Sequence, residues 1–158
     1  MSKEEVVFLA LGSNIGHKEE NLQQAITEIT LRAGKILSVS AFYYSEPWGF
    51  ISDNTFVNNC IALSTYLSPV QLLGVLQTIE SDMGRKAKSV EGVYADRIID
   101  IDILLFGSHI VDTPTLQIPH PLMCTRDFVL IPLAEIAGEI MHPIMLKNIS
   151  ELTKHIER

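Results

Sequence analysis

The segment "RIIDIDILLFG", residues 97 to 107, constrains the fold more than any other part of the chain. Ile99, Ile101, Ile103 and Leu105 alternate with Asp100 and Asp102 and lead to the turn residue Gly107. Side chains alternate across a strand, so this period of two predicts a β-strand with an aliphatic face and an acidic face. The aliphatic face must lie on a core. The acidic face carries two carboxylates roughly 6.6 Å apart along the strand, and burying such charges unpartnered is costly. The chain must therefore build a sheet with one face packed and part of the other kept polar.

The rest of the pattern supplies that sheet. "VVFLALGSN" reads as a strand ending in a turn. Glu19 to Ala33 follows with Leu22, Ala25, Ile26, Ile29 and Ala33 at helical spacing, and Gly34 stops it. "KILSVSAFYYS" and "FVNNCIALSTYL" are rich in β-branched and aromatic residues and predict two strands. "EPWGFISDN" between them has loop composition. "SPVQ" at Ser68 to Gln71 is a capping box with Pro69 in the first turn. The helix it starts turns Leu72, Leu73, Leu76, Ile79 and Met83 inward and ends at Gly84. A polar loop, Arg85 to Asp96, leads to the acidic strand. After the extended "TLQIPH", Pro132 is expected to separate a turn from a short helix. Asn148 and Glu151 predict the cap of a last helix. The order β-α-β-β-α-β predicts an α+β, ferredoxin-like sandwich with additional C-terminal helices, in a single domain spanning 1–158. The two main helices cover one sheet face, and the aspartates are expected on the other, helix-free face.

Composition narrows the chemistry. The formal net charge of -7 disfavours nucleic acid and anionic membranes as partners. No apolar run reaches the ~20 residues a membrane span needs, and no signal-peptide layout is visible. Cys60 and Cys124 lack metal spacing and read as core residues in a reducing cytoplasm. Yet Arg85, Lys86, Lys88 and Arg97 cluster just ahead of the acidic strand. Asp100 and Asp102 on one strand face fit an ordinary half-solvated strand. They also fit a Mg²⁺ site completed by water and phosphate oxygens, although the pattern alone favours the plain strand slightly. Arg97 and the basic loop favour the second reading, since phosphoryl transfer combines metal-bridged oxygens with guanidinium groups. No Walker A or protein-kinase loop set is present.

These residues together resemble one family. "LGSN-x-G", "EPWG", "F-x-N", "Q-x-x-E-x-x-x-GR", "R-x-x-D-I-D-I-L", "PH" and "R-x-F" occur in order along nearly the whole chain. They are similar to the 6-hydroxymethyl-7,8-dihydropterin pyrophosphokinases of folate biosynthesis. The resemblance implies transfer of pyrophosphate from ATP to the hydroxymethyl group of the pterin, with attack at the β-phosphorus and release of AMP. It places two Mg²⁺ at Asp100 and Asp102, and Arg85 and Arg97 as catalytic phosphate contacts. Gln77, Glu80, Lys88, Ile103, Gln117, His120 and Arg126 fall at ATP-binding positions. Phe56 and Phe128 match aromatics that sandwich the pterin, Asn58 matches the amide reading its edge, and Ser45 and Trp48 match loop positions facing the ring. The partners implied are ATP and the pterin, and the chain is expected to be a monomer. "YADR" departs from the family's aromatic, glycine and proline before the arginine, which brings Asp96 near the phosphates. Lys88 or Ala87 stands where some relatives carry a second loop arginine, and Phe56 replaces a tyrosine. Two rivals make different predictions: a regulatory nucleotide-binding module gives no turnover, and γ-phosphoryl transfer to another alcohol gives ADP.

Overall fold

A computed structural model describes residues 3–46, 55–84 and 98–154. The elements are β1 (Glu5–Ser13), α1 (Lys18–Arg32), β2 (Lys35–Val39), β3 (Tyr43–Ser45), β4 (Phe56–Thr65), α2 (Pro69–Asp82), β5 (Asp100–Phe106), β6 (Val111–Asp112), β7 (Gln117–Ile118), α3 (Asp127–Ala137) and α4 (Ile149–Leu152). The main sheet has the order β2-β4-β1-β5, with β3 also paired to β4 and every pairing antiparallel. β6 and β7 form a separate hairpin.

The helix boundaries follow local chemistry. Ser68 Oγ accepts from Gln71 N at 3.2 Å, and Gln71 Oε1 accepts from Ser68 N at 2.9 Å, closing the predicted box. Asn148 Oδ1 accepts from Glu151 N at 2.9 Å and starts α4, which is one turn long. α1 buries Leu22, Ala25 and Ile29, and α2 buries Leu72, Leu76 and Ile79, against one sheet face. That face contributes Val7, Leu9, Leu11, Val57, Ile61, Leu63, Ile99, Ile101 and Ile103.

The opposite face is not helix-free. α3 and α4 bring Val129, Leu130, Leu133, Ala137, Ile149 and Leu152 onto Phe8, Cys60 and Ala62, making a second core. The Cys60 thiol lies 3.7 Å from the Val129 carbonyl it donates to. Only one end of this face stays polar, and the aspartates lie there. Pro132 does not break the last long segment: it sits buried inside α3. Burial of its ring offsets the hydrogen bond it cannot make.

Two strand expectations change. "KILSVSAFYYS" is divided into β2 and β3, with Ser40 between them bonded to Cys60 through both its main-chain N–H (2.9 Å) and its hydroxyl (2.9 Å). In β5 the register against β1 shifts between Phe8 and Leu9. The extra residue reverses the alternation. Leu104 and Leu105 therefore both join the second core, and Phe106 returns to the first.

Candidate active site

Strand register assembles the polar end of the second face. Gly12 on β1 pairs with Asn58 of β4 on one side and Asp100 of β5 on the other. Ala10, two residues back, pairs with Cys60 and Asp102. Paired residues in an antiparallel sheet share a face, so Asn58, Gly12, Asp100 and Asp102 line one surface. Phe56, two residues before Asn58, joins them. β5 is the edge of the main sheet, which leaves its acidic residues half-exposed.

Behind that surface the strand is pinned. Glu80 on α2 is 5% exposed, and its Oε2 accepts from Ile101 N at 2.8 Å. Ile101 is the residue between the two aspartates. A buried carboxylate thus satisfies an N–H on the edge strand at the point where both acids are held.

The segment after β7 adds His120 and the guanidinium of Arg126. His120 Nε2 stands 3.9 Å from Asp102 Oδ2, and its Nδ1 accepts from Leu122 N at 3.1 Å. Burial first, and then the charge of Arg126, push His120 down to about 4, against an opposing pull from Asp100. Arg126 immediately precedes α3, and its guanidinium lies 5.7 Å from the Phe128 ring centroid, a cation–π contact.

On the other flank, Asn58 is 9% exposed. Its Nδ2 donates to Ser45 Oγ at 2.8 Å and more weakly to the Tyr43 carbonyl at 3.5 Å. Ser45 is therefore placed beside Asn58, as β3 pairs Ser45 with Phe56 and Tyr43 with Asn58. Asn59, next along β4, belongs to the helix-facing side and to no site surface.

The other predicted residues divide. Gln77 is half-buried on α2. Ile103 is 5% exposed in the first core, so it can offer a nucleotide only its main chain. Gln117 is exposed in the β6–β7 hairpin and donates to Asp112 at 3.3 Å. Phe128 is half-buried against the second core. Trp48, Arg85, Lys88 and Arg97 lie outside the described residues.

Several supports were not legible in the sequence. Tyr43 OH donates to Glu135 of α3 at 2.5 Å, and the same carboxylate takes the Ala41 N–H at 3.0 Å. Lys18 Nζ donates to the Thr55 carbonyl at 3.0 Å, just ahead of Phe56. Asn21 Nδ2 donates to Ser13 Oγ at 3.2 Å and to the Ile15 carbonyl at 3.1 Å, holding the turn after β1. Each joins residues far apart in sequence or across a turn, and none follows a periodicity.

Among the described residues no group of three or more His, Cys, Asp or Glu side chains could hold a metal ion. The donor set on the acidic strand is two carboxylates on an open surface. That set fits Mg²⁺, which keeps several waters and takes one or two carboxylates with substrate phosphates.

Comparison with known proteins agrees. The family described as 7,8-dihydro-6-hydroxymethylpterin-pyrophosphokinase matches residues 8–138. The chain is 45% identical over 139 residues to the 2-amino-4-hydroxy-6-hydroxymethyldihydropteridine pyrophosphokinase of Porphyromonas gingivalis, covering 87% of this chain and 94% of that one. It is 41% identical over 138 residues to the enzyme of the same name from Pseudomonas aeruginosa, covering 87% and 83%. Among solved structures, the HPPK-DHPS of Plasmodium falciparum crystallised with pteroate superposes with a TM-score of 0.77 at 17% identity, over 96% of this chain and 42% of that one. The family match and these identities across most of the chain establish that it belongs to the 7,8-dihydro-6-hydroxymethylpterin-pyrophosphokinase family.

Proposed function

We propose that the chain transfers pyrophosphate from Mg-ATP to the hydroxymethyl group of 6-hydroxymethyl-7,8-dihydropterin in folate biosynthesis. One observation carries the reading: the carboxylates of Asp100 and Asp102 and the amide of Asn58 lie on one sheet surface, in register across Gly12. On this reading a phosphate-and-metal site adjoins a flat-ring site.

In this reading the hydroxymethyl oxygen forms a bond to the β-phosphorus of ATP. The bond from that phosphorus to the α–β bridging oxygen breaks, AMP leaves with that oxygen, and the hydroxyl proton passes to solvent. When bound, two Mg²⁺ neutralise and clamp the phosphate oxygens. Asp100 and Asp102 hold that charge in place on an edge strand fixed from behind by Glu80. Arg126 and His120, with Arg85, Arg97 and Lys88 from the basic loop, contact the phosphates. Gln77, Glu80, Gln117 and the main chain of Ile103 complete the nucleotide side, Glu80 through Ile101. Phe56 and Phe128 stack on the pterin, an arrangement that contributes about 0.5–1.5 kcal/mol per ring pair beyond area burial. Asn58, Ser45 and Trp48 read its edge. Positioning and fixed charge supply the acceleration, since no described side chain is placed as a general base.

The strand order and the two helices on one face support a ferredoxin-like arrangement of a single domain over 1–158. The chain acts as a monomer in the cytoplasm on this proposal. Among the described residues no helix is long and apolar enough to cross a membrane.

Product analysis tests the reaction. Mg-ATP and the pterin are supplied, and AMP is separated from ADP. Pterin-dependent AMP supports pyrophosphoryl transfer. ADP would replace it with γ-phosphoryl transfer, and ATP binding without turnover would favour the regulatory module.

A further inference from the structure

Gly12 is an anomaly in β1. Glycine inside a strand is unfavourable and often marks a place where a ligand or another backbone comes close. The backbone does not demand it here: the positive-φ glycines are Gly16, Gly34, Gly84 and Gly107, and Gly12 is not among them. The position is buried in a strand paired on both sides. What a side chain there would meet is informative. A Cβ on Gly12 would stand 3.1 Å from Asn58 Oδ1 and 3.5 Å from the Phe56 ring. It would project from the face that carries Asp100 and Asp102.

Asn58 points to an occupant for that space. Its Nδ2 is engaged by Ser45 and Tyr43. Its Oδ1 receives no donor among the described residues, although the side chain is nine-tenths buried. Oδ1 is not among the fully buried atoms without a partner, so it is open to the space beside Gly12 and available to a donor from a ligand. Oδ1 lies beside the bare strand of Gly12, with the phenyl ring of Phe56 along the same gap. On the far side of Gly12 comes Asp100. Adjacent strands are about 4.8 Å apart, so the Asn58 and Asp100 backbones lie roughly 10 Å apart with only glycine between them.

We infer that Gly12 is a specificity-determining residue. Its missing side chain is the channel along which the substituent of a bound heterocycle runs from Asn58 toward the phosphates at Asp100. The inference rests on the function proposed above and adds to it. The ring presents a donor to Asn58 Oδ1. The arm carrying the nucleophilic oxygen lies flat on the β1 backbone, and any Cβ at position 12 obstructs it. Ala10, two residues back, faces Cys60 and Asp102 rather than the aromatic gap, so its methyl group lies off this path.

The test is equilibrium binding by fluorescence titration with two ligands, 6-hydroxymethyl-7,8-dihydropterin and the same ring without its 6-substituent. Wild type and Gly12→Ala are compared in the presence of Mg²⁺ and a non-hydrolysable ATP analogue. Gly12→Ala should weaken the substituted ligand at least tenfold and the unsubstituted ring less than threefold. Affinity for the ATP analogue should stay within twofold. Equal weakening of both pterins would mean that the methyl group merely displaces Asn58 or Phe56, and would overturn the channel. Unchanged binding of the substituted pterin would overturn it too. Parallel loss of the ATP analogue would assign Gly12 to the fold instead. If Gly12→Ala does not fold, the pair Gly12→Ala with Phe56→Leu opens room at the 3.5 Å neighbour and carries the same comparison. Wild-type protein that binds pterin but releases no AMP would sink the proposed reaction while leaving this comparison valid. Wild type that binds neither pterin would sink both.

Discussion

Removing the Glu80 carboxylate separates two ways in which that residue can serve the site. Glu80 is 5% exposed and accepts the Ile101 N–H at 2.8 Å. A hydrogen bond to a charged group contributes about 1.5–3 kcal/mol, and a buried donor left without a partner costs about 1–3 kcal/mol. Glu80→Ala loses the bond, strands the Ile101 N–H and opens a small cavity. These overlap, so the net destabilisation should be about 2–4 kcal/mol. Glu80→Gln keeps a neutral acceptor and should lose about 1–1.5 kcal/mol. Ile101 lies between Asp100 and Asp102, so loosening it moves both acids together. Turnover should fall at least a hundredfold in Glu80→Ala, with a raised Mg²⁺ half-saturation, and Glu80→Gln should recover much of both. The assays are equilibrium urea unfolding without nucleotide or metal, and AMP release against Mg²⁺ concentration. A direct contact to ATP instead predicts a raised KM for ATP at unchanged stability. Glu80→Ala within 0.5 kcal/mol of wild type would refute the anchoring role, since that is the scatter expected of an ordinary surface substitution.

Asp100→Asn and Asp102→Asn should each reduce AMP release by about three orders of magnitude while leaving the urea midpoint of the metal-free protein equal or higher, because like charges are relieved; activity within tenfold of wild type would remove the metal assignment. His120 is held at about 4 when folded against about 6.5 when unfolded. The unfolded chain therefore takes up the proton first: this contribution is fully present above pH ~6.5 and is lost as pH falls toward 4, by up to about 3 kcal/mol. His120→Gln should flatten that part of the stability–pH profile of the metal-free protein, as measured by urea unfolding at pH 7 and 4.5. Ser68→Ala removes one arm of the α2 capping box and should lower stability by about 1 kcal/mol with kcat unchanged, checked by denaturation and steady-state AMP release.

The order of strands and helices was legible because each element carries its own period. The α2 start was legible because capping is local chemistry between Ser68 and Gln71. The acidic pair was legible because alternation along β5 is strict up to Ile103. It fails at Leu104, where the bulge depends on β1 and not on the β5 sequence. The division of "KILSVSAFYYS" into β2 and β3 likewise depends on Ser40 meeting Cys60 across the sheet. Pro132 misled because its local penalty is certain, while the burial that offsets it depends on tertiary packing. Gln77 and Glu80 were legible as a pair because they share a helix face. The bond from the Ile101 amide, 21 residues on, to the Glu80 carboxylate was not. The residue types proposed for the site were thus readable in the sequence, and the supports around them were not, because they are long-range.

One sheet face serves as both core and active-site floor, and register shows how. Along β1 the residues on that face are Phe8, Ala10 and Gly12. Their partners on β4 are Ala62, Cys60 and Asn58, and on β5 Leu105, Asp102 and Asp100. Row by row the central side chain shrinks from phenyl to methyl to hydrogen, and the flanks pass from apolar to amide and carboxylate. The other face of the same strand, Val7, Leu9 and Leu11, stays large and apolar throughout, because α1 and α2 cover its full length. α3 packs against Phe8, Cys60 and Ala62, so a large residue at position 8 fills volume that would otherwise be a cavity. Near Asn58 and Asp100 the same volume is wanted by a ligand, and the strand gives it up one residue at a time. A taper of this kind on one face alone is hard to explain by β-propensity, which would favour branched residues at all three positions. It follows directly if the face must change from packed interior to binding surface within four residues of chain.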